Sequence, residues 1–246
     1  MNPEADFEKE LNGIRDAYRG FRAKKLHQSL WAPFGSSEAA WRARQAEVFI
    51  TVLRERGWSS LAGRKVLDFG CGRGRHLRQF LDWDAAPDLL DGIDLDAPAV
   101  EEAKMLSPNI RVQLATGITL PYPDGAFDLI TQFVVFSSIP SEALRLRIAA
   151  ELDRVLRPGG FFFWWDMDHM AALAGGHDLP LTPAIHFPHY GGTVLNIGER
   201  PPPSESLRHV RFLGPLMGFL ADRFACHPSH HAALFEKPFL PPHASS

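Results

Sequence analysis

Lys65-Val66-Leu67-Asp68-Phe69-Gly70-Cys71-Gly72-Arg73-Gly74-Arg75-His76 is the stretch that decides the fold. A short apolar run reads as a buried strand, Asp68 stands near its end, and Gly70, Gly72 and Gly74 alternate after it. Arg75 to Leu81 permits a helix. The segment is therefore read as strand, tight turn and helix start. Glycine accepts positive φ and lets a ligand approach bare backbone. The first amides of a helix lack intrahelical partners and suit a polar ligand. Asp68 can orient the turn or bind a polar group. A dinucleotide-binding turn is spaced G-x-G-x-x-G. Here Arg75 stands where its third glycine would be, which weakens a nicotinamide reading. The plain alternative is a glycine-rich turn with no ligand.

The 246 residues suit one large domain. A chain that is 45% hydrophobic and 22% charged has an ordinary globular balance. The net charge of −3 argues against a general nucleic-acid or anionic-membrane binder. Cys71 and Cys226 make no disulfide framework, so a cytoplasmic location is expected. Met1 to Glu10 is polar and acidic, unlike a signal peptide. No apolar run approaches the ~20 residues of a membrane span.

Outward from the glycine turn, strands and helices alternate. Phe7 to Leu30 carries Leu11, Ile14, Tyr18, Phe21 and Leu26 at helical spacing. A second helix is expected over Glu38 to Arg56, capped by Ser37 and stopped by Gly57, with Trp41, Val48, Phe49, Val52 and Leu53 on its apolar face. Strands are expected at 65–69, 89–95, 110–114, 126–133 and 161–165. Helices are expected from Ala99 to Leu106 and, behind a Ser141 cap, from Glu142 to Leu156. Arg157-Pro158-Gly159-Gly160 reads as a sharp turn into the fifth strand. Ala171 to Pro203 reads as loops with one short helix. A sixth strand is expected at Leu207 to Leu213, a helix at Leu216 to Arg223 and a seventh strand at His231 to Glu236. This order predicts an α/β fold with a parallel sheet and ligands at the carboxyl ends of its strands.

Four stretches in order resemble the class I S-adenosylmethionine-dependent methyltransferases. Val66 to Gly74 resembles their first motif, and Gly92-Ile93-Asp94-Leu95 their second strand with its acidic end. Leu120 to Ile130 resembles the approach to the fourth strand, and Glu151 to Gly160 the helix and turn before the fifth. His231 to Pro238 is similar to the last strand. The resemblance covers about residues 60–168. It implies a Rossmann-like, seven-stranded, mostly parallel sheet with helices on both faces, its last strand antiparallel between the fifth and sixth. It implies S-adenosyl-L-methionine as cofactor. Asp68, Gly70, Cys71 and Gly72 would line the amino-acid end, Asp94 would accept from the ribose hydroxyls, and Leu95 would pack on adenine. Thr116, Gly117 and Ile118 stand where the family often has an acidic residue for the adenine amine. Gln132 and Phe133 would face the reactive methionine part; Phe133 is equally readable as core.

On this reading residues 1–57 form a helical lid. Residues 58–240 form the cofactor-binding domain, with an irregular substrate insertion at about 169–205. Asp166 and His169, expected just beyond the fifth strand, are the candidate general-base pair. His76 is a lesser candidate, better suited to steadying the glycine turn. Trp31, Trp164 and Trp165 are candidate faces for a sulfonium, with plain packing as the alternative. His186, His189, His227, His230 and His231 invite a metal reading, but their spacing matches no structural-zinc pattern and no metal is assigned. Phe34, Ile185, Phe187, Tyr190 and Leu195 suggest a small apolar or aromatic acceptor from specialised metabolism. No nucleic-acid partner is expected, and a homodimer is left open. The alternatives are a non-catalytic nucleotide-binding scaffold of the same fold and a nicotinamide-dependent oxidoreductase.

Overall fold

A computed structural model describes residues 3–23, 36–167, 191–196 and 230–239. The elements are α1 (Pro3–Ala23), α2 (Ser36–Glu55), β1 (Val66–Phe69), α3 (Arg75–Leu81), β2 (Leu90–Asp94), α4 (Ala97–Leu106), β3 (Arg111–Leu114), β4 (Phe127–Phe133), α5 (Glu142–Val155), β5 (Leu156–Met167), β6 (Gly191–Asn196) and β7 (His230–Glu236). They build a seven-stranded sheet of order β3-β2-β1-β4-β5-β7-β6. β1 pairs in parallel with β2 and β4, and β4 pairs in parallel with β5. β7 runs antiparallel between β5 and β6. The strand order reverses direction at β1 and β4, and such a switch point opens a crevice at the carboxyl ends of the strands.

The apolar strands form because both sheet faces are covered. Val66, Leu129, Phe161, Phe163 and Trp165 face one core with Trp41, Val48, Phe49, Val52 and Leu53 of α2 and Leu77 and Phe80 of α3. Leu67, Phe69, Ile130, Phe162 and Trp164 face the other, with Leu11 and Ile14 of α1 and Leu144, Ile148, Leu152 and Val155 of α5. Alternate residues of one strand thus serve opposite cores. The apolar faces expected for α2 and α5 are the buried ones.

Helix ends follow local chemistry. The Ser141 side chain accepts from the Leu144 amide and caps α5. Gly57, at φ 81°, ends the α2 segment, with Gly57 N–H donating to Arg54 O and Trp58 N–H to Leu53 O; this is the Schellman arrangement. Ser37 corrects one expectation, since α2 begins at Ser36 and Ser37 lies inside its first turn.

Two strand readings also change. Arg157 to Gly160 is enclosed within β5 rather than preceding it. Leu156 pairs with Phe127 and Phe161 with Leu129, so the turn is accommodated as a local irregularity of the ladder. Gly159, at φ 69°, donates to Lys237 O, and Lys237 N–H donates to Gly160 O, tying that bulge to the end of β7. Residues 191–196, read as loop because of Gly191-Gly192, form β6, and pairing with β7 overrides the low strand preference of glycine. The strand expected at 207–213 and the helix expected at 216–223 lie outside the described residues, as do residues 24–30 of the first expected helix.

Candidate cofactor and active site

The glycine turn lies between β1 and α3 at the switch point. Gly70, Gly72 and Gly74 have φ values of 71°, 53° and 71°. Side chains other than glycine resist this left-handed region. A Cβ on Gly70 would stand 2.3 Å from Val135 Cγ2, so the turn also needs glycine for close approach to the end of β4. A Cβ on Gly72 would meet nothing within 4 Å. The space above Gly72 is therefore open.

The turn's amides are not left for a ligand as the sequence suggested. Gly70 and Cys71 N–H both donate to Ile93 O, and Gly74 N–H donates to Cys71 O. Gly72 N–H donates to Asp94 Oδ2 at 2.7 Å, and Asp96 N–H donates to Asp94 Oδ1 at 2.8 Å. What the turn offers is the uncovered backbone surface at Gly72. The half-buried Asp94 carboxylate is fixed at its rim, at the end of β2.

Asp68 lies beneath the turn, 2% exposed, and accepts from Thr131 Oγ1 at 2.7 Å. Thr131 is its register partner on β4. Burial pushes the Asp68 carboxyl up to about 7, against the opposing effects of the Thr131 hydrogen bond and the Arg75 charge. Cys71 turns into the core on the α2 side, and burial pushes its thiol well up, so it acts as a small neutral side chain. Gly92 makes room for it, since a Cβ there would lie 2.9 Å from Cys71 Sγ.

The end of β4 holds the least ordinary backbone. Val134 has φ 59° and donates its N–H to Trp165 O at 2.7 Å. A β-branched residue in that region is strained by ~1–3 kcal/mol. Gln132 is fully buried. Its Oε1 accepts from Val135 N–H, and its Nε2 has no hydrogen-bond partner among the described residues. Phe133 is half-buried and packs on the His76 ring and on Phe163. His76 is buried, and burial, followed by the charges of Arg75, Arg42 and Arg78, pushes it well below its usual range. It is held neutral against the turn.

Leu95 is partly buried against the α1-side core, as is Ile118. Gly117, at φ 84°, lies against the Phe69 ring, where a Cβ would come within 2.8 Å. That contact brings the Thr116–Ile118 loop to the carboxyl end of β1. Asp68, the glycine turn, Asp94, Leu95, the 116–118 loop, Gln132 and Phe133 thus share one edge of the sheet.

Other expectations are corrected. Asp166 is not beyond β5 but within it, fully buried, and its Oδ2 accepts from Phe136 N–H at 2.9 Å and Ser137 N–H at 3.3 Å. It anchors the Phe136–Ser138 turn rather than facing an acceptor. Trp164 and Trp165 are fully buried packing residues, Trp164 against Phe136 and Trp165 edge-on to Trp41. His169, Trp31, Phe34, His186, His189 and His227 lie outside the described residues. Among the described residues no group of side chains could hold a metal ion, and no helix is long and apolar enough to cross a membrane. Nothing in the sequence signalled the backbone of Val134 or the Tyr18–Ser138 contact. Positive φ is signalled by glycine, and Tyr18 carries the ordinary spacing of a core residue.

Comparison with known proteins agrees with this geometry. Residues 67–164 match a family model described as a methyltransferase domain. A Mycolicibacterium smegmatis protein named "Probable S-adenosylmethionine-dependent methyltransferase" is 31% identical over 149 residues, covering 61% of this chain and 54% of that protein. The chain thus spans about half the length of that curated relative. The solved structure of an S-adenosylmethionine-dependent methyltransferase from Mesorhizobium loti superposes with a TM-score of 0.55 at 16% identity, covering 82% of this chain and 99% of that one. The cyclase SpnF superposes with a TM-score of 0.52 at 21% identity, covering 73% and 78%. Residues 67–164 are thus similar to a methyltransferase domain, and the fold is shared with the solved S-adenosylmethionine-dependent methyltransferase.

Proposed function

We propose that the protein transfers a methyl group from S-adenosyl-L-methionine to a small apolar or aromatic acceptor. The observation that carries this reading is the Asp94 carboxylate, fixed by the Gly72 and Asp96 amides beside the open surface over Gly72. A carboxylate there can accept both hydroxyls of a ribose. Leu95 and the 116–118 loop lie where they would flank the adenine. Asp68 and Gln132, at the ends of neighbouring strands, would line the amino-acid end. The buried Asp68 carboxyl would meet the cofactor's ammonium, and the Gln132 amide, lacking a protein partner for Nε2, would donate to its carboxylate.

When bound, the cofactor supplies an electrophilic methyl on a sulfonium. The chain's own part is to align the acceptor, hold it close and exclude water. The rigid turn at 134–138 shapes the edge next to Gly70. Asp166 serves by holding that turn. A hydroxyl acceptor would give its proton to His169, which keeps the place of general base in this proposal. Residues 1–57 serve as the cap, and the segment at about 169–205 supplies the acceptor side.

The direct test is calorimetric titration with S-adenosylhomocysteine and, separately, NADH, followed by incorporation of labelled methyl into pooled small acceptors. Binding of the first alone, with label incorporated, is the expected outcome. NADH binding would favour the oxidoreductase. The fold is also that of the cyclase SpnF, so cofactor binding without methyl transfer to any acceptor would favour a non-transferring role.

A further inference from the structure

We infer that Tyr18 of α1 is a positioning residue of the cofactor site, acting through Ser138 and the turn that faces Gly70. The inference rests on the site proposed above. Tyr18 and Ser138 are 120 residues apart, yet their hydroxyls are 3.0 Å apart. The negative charges of Asp94 and Asp166 both bear on the phenol. Asp94 ends β2 and Asp166 lies near the end of β5, with β1 and β4 between them. The Ser138 contact places the phenol on the 136–138 turn, which follows the carboxyl end of β4.

Ser138 is not an isolated partner. It is buried and closes the 136–138 turn, whose first two amides are held by Asp166 Oδ2. The same connection begins at the strained Val134 and passes Val135, whose side chain fills the space a Gly70 Cβ would need. α1 is also fastened one step further along, where Ser141 N–H donates to Glu10 Oε1 at 2.8 Å. Two polar contacts thus fix α1 to the segment that leads from β4 into α5, and that segment touches the glycine turn. Burial, opposed by the Ser138 hydrogen bond, raises the phenol above its ordinary range, so it remains a neutral hydroxyl at physiological pH. Ligand seated over Gly72 would press on an edge whose shape is held by Tyr18 and Asp166 through the 136–138 turn.

The test uses the full chain and S-adenosylhomocysteine as probe. Tyr18→Phe keeps the ring and removes only the hydroxyl, and Ser138→Ala removes its partner. Each variant is expected to bind the probe about 5–20-fold more weakly, with faster dissociation in stopped-flow, while the unliganded melting temperature moves by no more than a few degrees. The double variant is expected to match the weaker single variant, because both changes break the same contact. Glu10→Gln, which weakens the second fastening without touching the phenol, is expected to shift affinity less than Tyr18→Phe. Wild-type affinity in Tyr18→Phe, or losses that multiply in the double variant, would overturn the inference while leaving the proposed cofactor site intact. Failure of the wild type itself to bind the probe would instead overturn the proposed function, and this inference with it.

Discussion

Two buried carboxylates, one on a helix and one on a central strand, show how differently this molecule treats structure and site. Glu151 of α5 is closed on all sides. It accepts from the Leu120 amide, from Arg154 and from Arg147, while Arg154 also donates to Leu120 O, Tyr122 O and Asp124. The Arg154 hydrogen bond leads the causes that hold the Glu151 carboxyl down to about 2. Asp68 of β1 accepts from one threonine hydroxyl, and burial pushes it up to about 7. Satisfied ionic networks fix a fold, whereas a buried carboxyl pushed up with few partners is a candidate to bind a ligand group. Gln132 Nε2 and His76 Nδ1 are likewise buried and without hydrogen-bond partners among the described residues.

The contrast can be broken experimentally. The largest expected effect comes from Gly70→Ala, which places a methyl at φ 71° against Val135. It should cost about 2–4 kcal/mol of stability, read by denaturant melts, and lower cofactor affinity as well. Glu151→Ala should cost about 1–3 kcal/mol by stranding the Leu120 amide and the Arg154 guanidinium. Its affinity for S-adenosylhomocysteine, measured in the native protein, should match wild type, since this network is purely structural. Asp94→Ala should do the reverse, weakening the probe by about 1–3 kcal/mol with a smaller loss of stability from the two freed amides.

The smallest effect is in pH dependence, where the two carboxyls have opposite signs. The folded chain keeps the Asp68 proton from its ordinary value near 3.8 up to about 7. Across that window the native state binds more protons than the unfolded one, so this residue makes stability fall as pH rises. Glu151 contributes stability that is present above its ordinary value near 4.5 and is lost as pH falls toward about 2. Because a bound ammonium favours the ionised Asp68, affinity for S-adenosylhomocysteine should rise as pH passes through about 7 and level off above it. Titrations at pH 6 to 8 check this, and Asp68→Asn should flatten the profile.

Much of this was legible in the sequence where chemistry is local. The glycine spacing, the Ser141 cap, Gly57 and the apolar faces of α2 and α5 each follow from a few neighbouring residues, and they stand where expected. What escaped depends on distant pairing. Gly191-Gly192 looks like a turn until β7 lies beside it. Asp166 looks exposed after an aromatic run until the 136–138 amides close on it. The glycine amides look available until Ile93 O and Asp94 claim them. The backbone frame of the candidate site was therefore readable, but which atoms it leaves open was not, because that is decided by partners 20 or more residues away.

The most direct measurement is amide chemical-shift mapping of the protein as S-adenosylhomocysteine is added. The account predicts saturable shifts at Gly70, Gly72, Gly74, Asp94 and Leu95, with the amides around Glu151 unmoved. Shifts confined to other parts of the chain, with the Gly70–Gly74 and Asp94 amides unchanged at saturation, would contradict it.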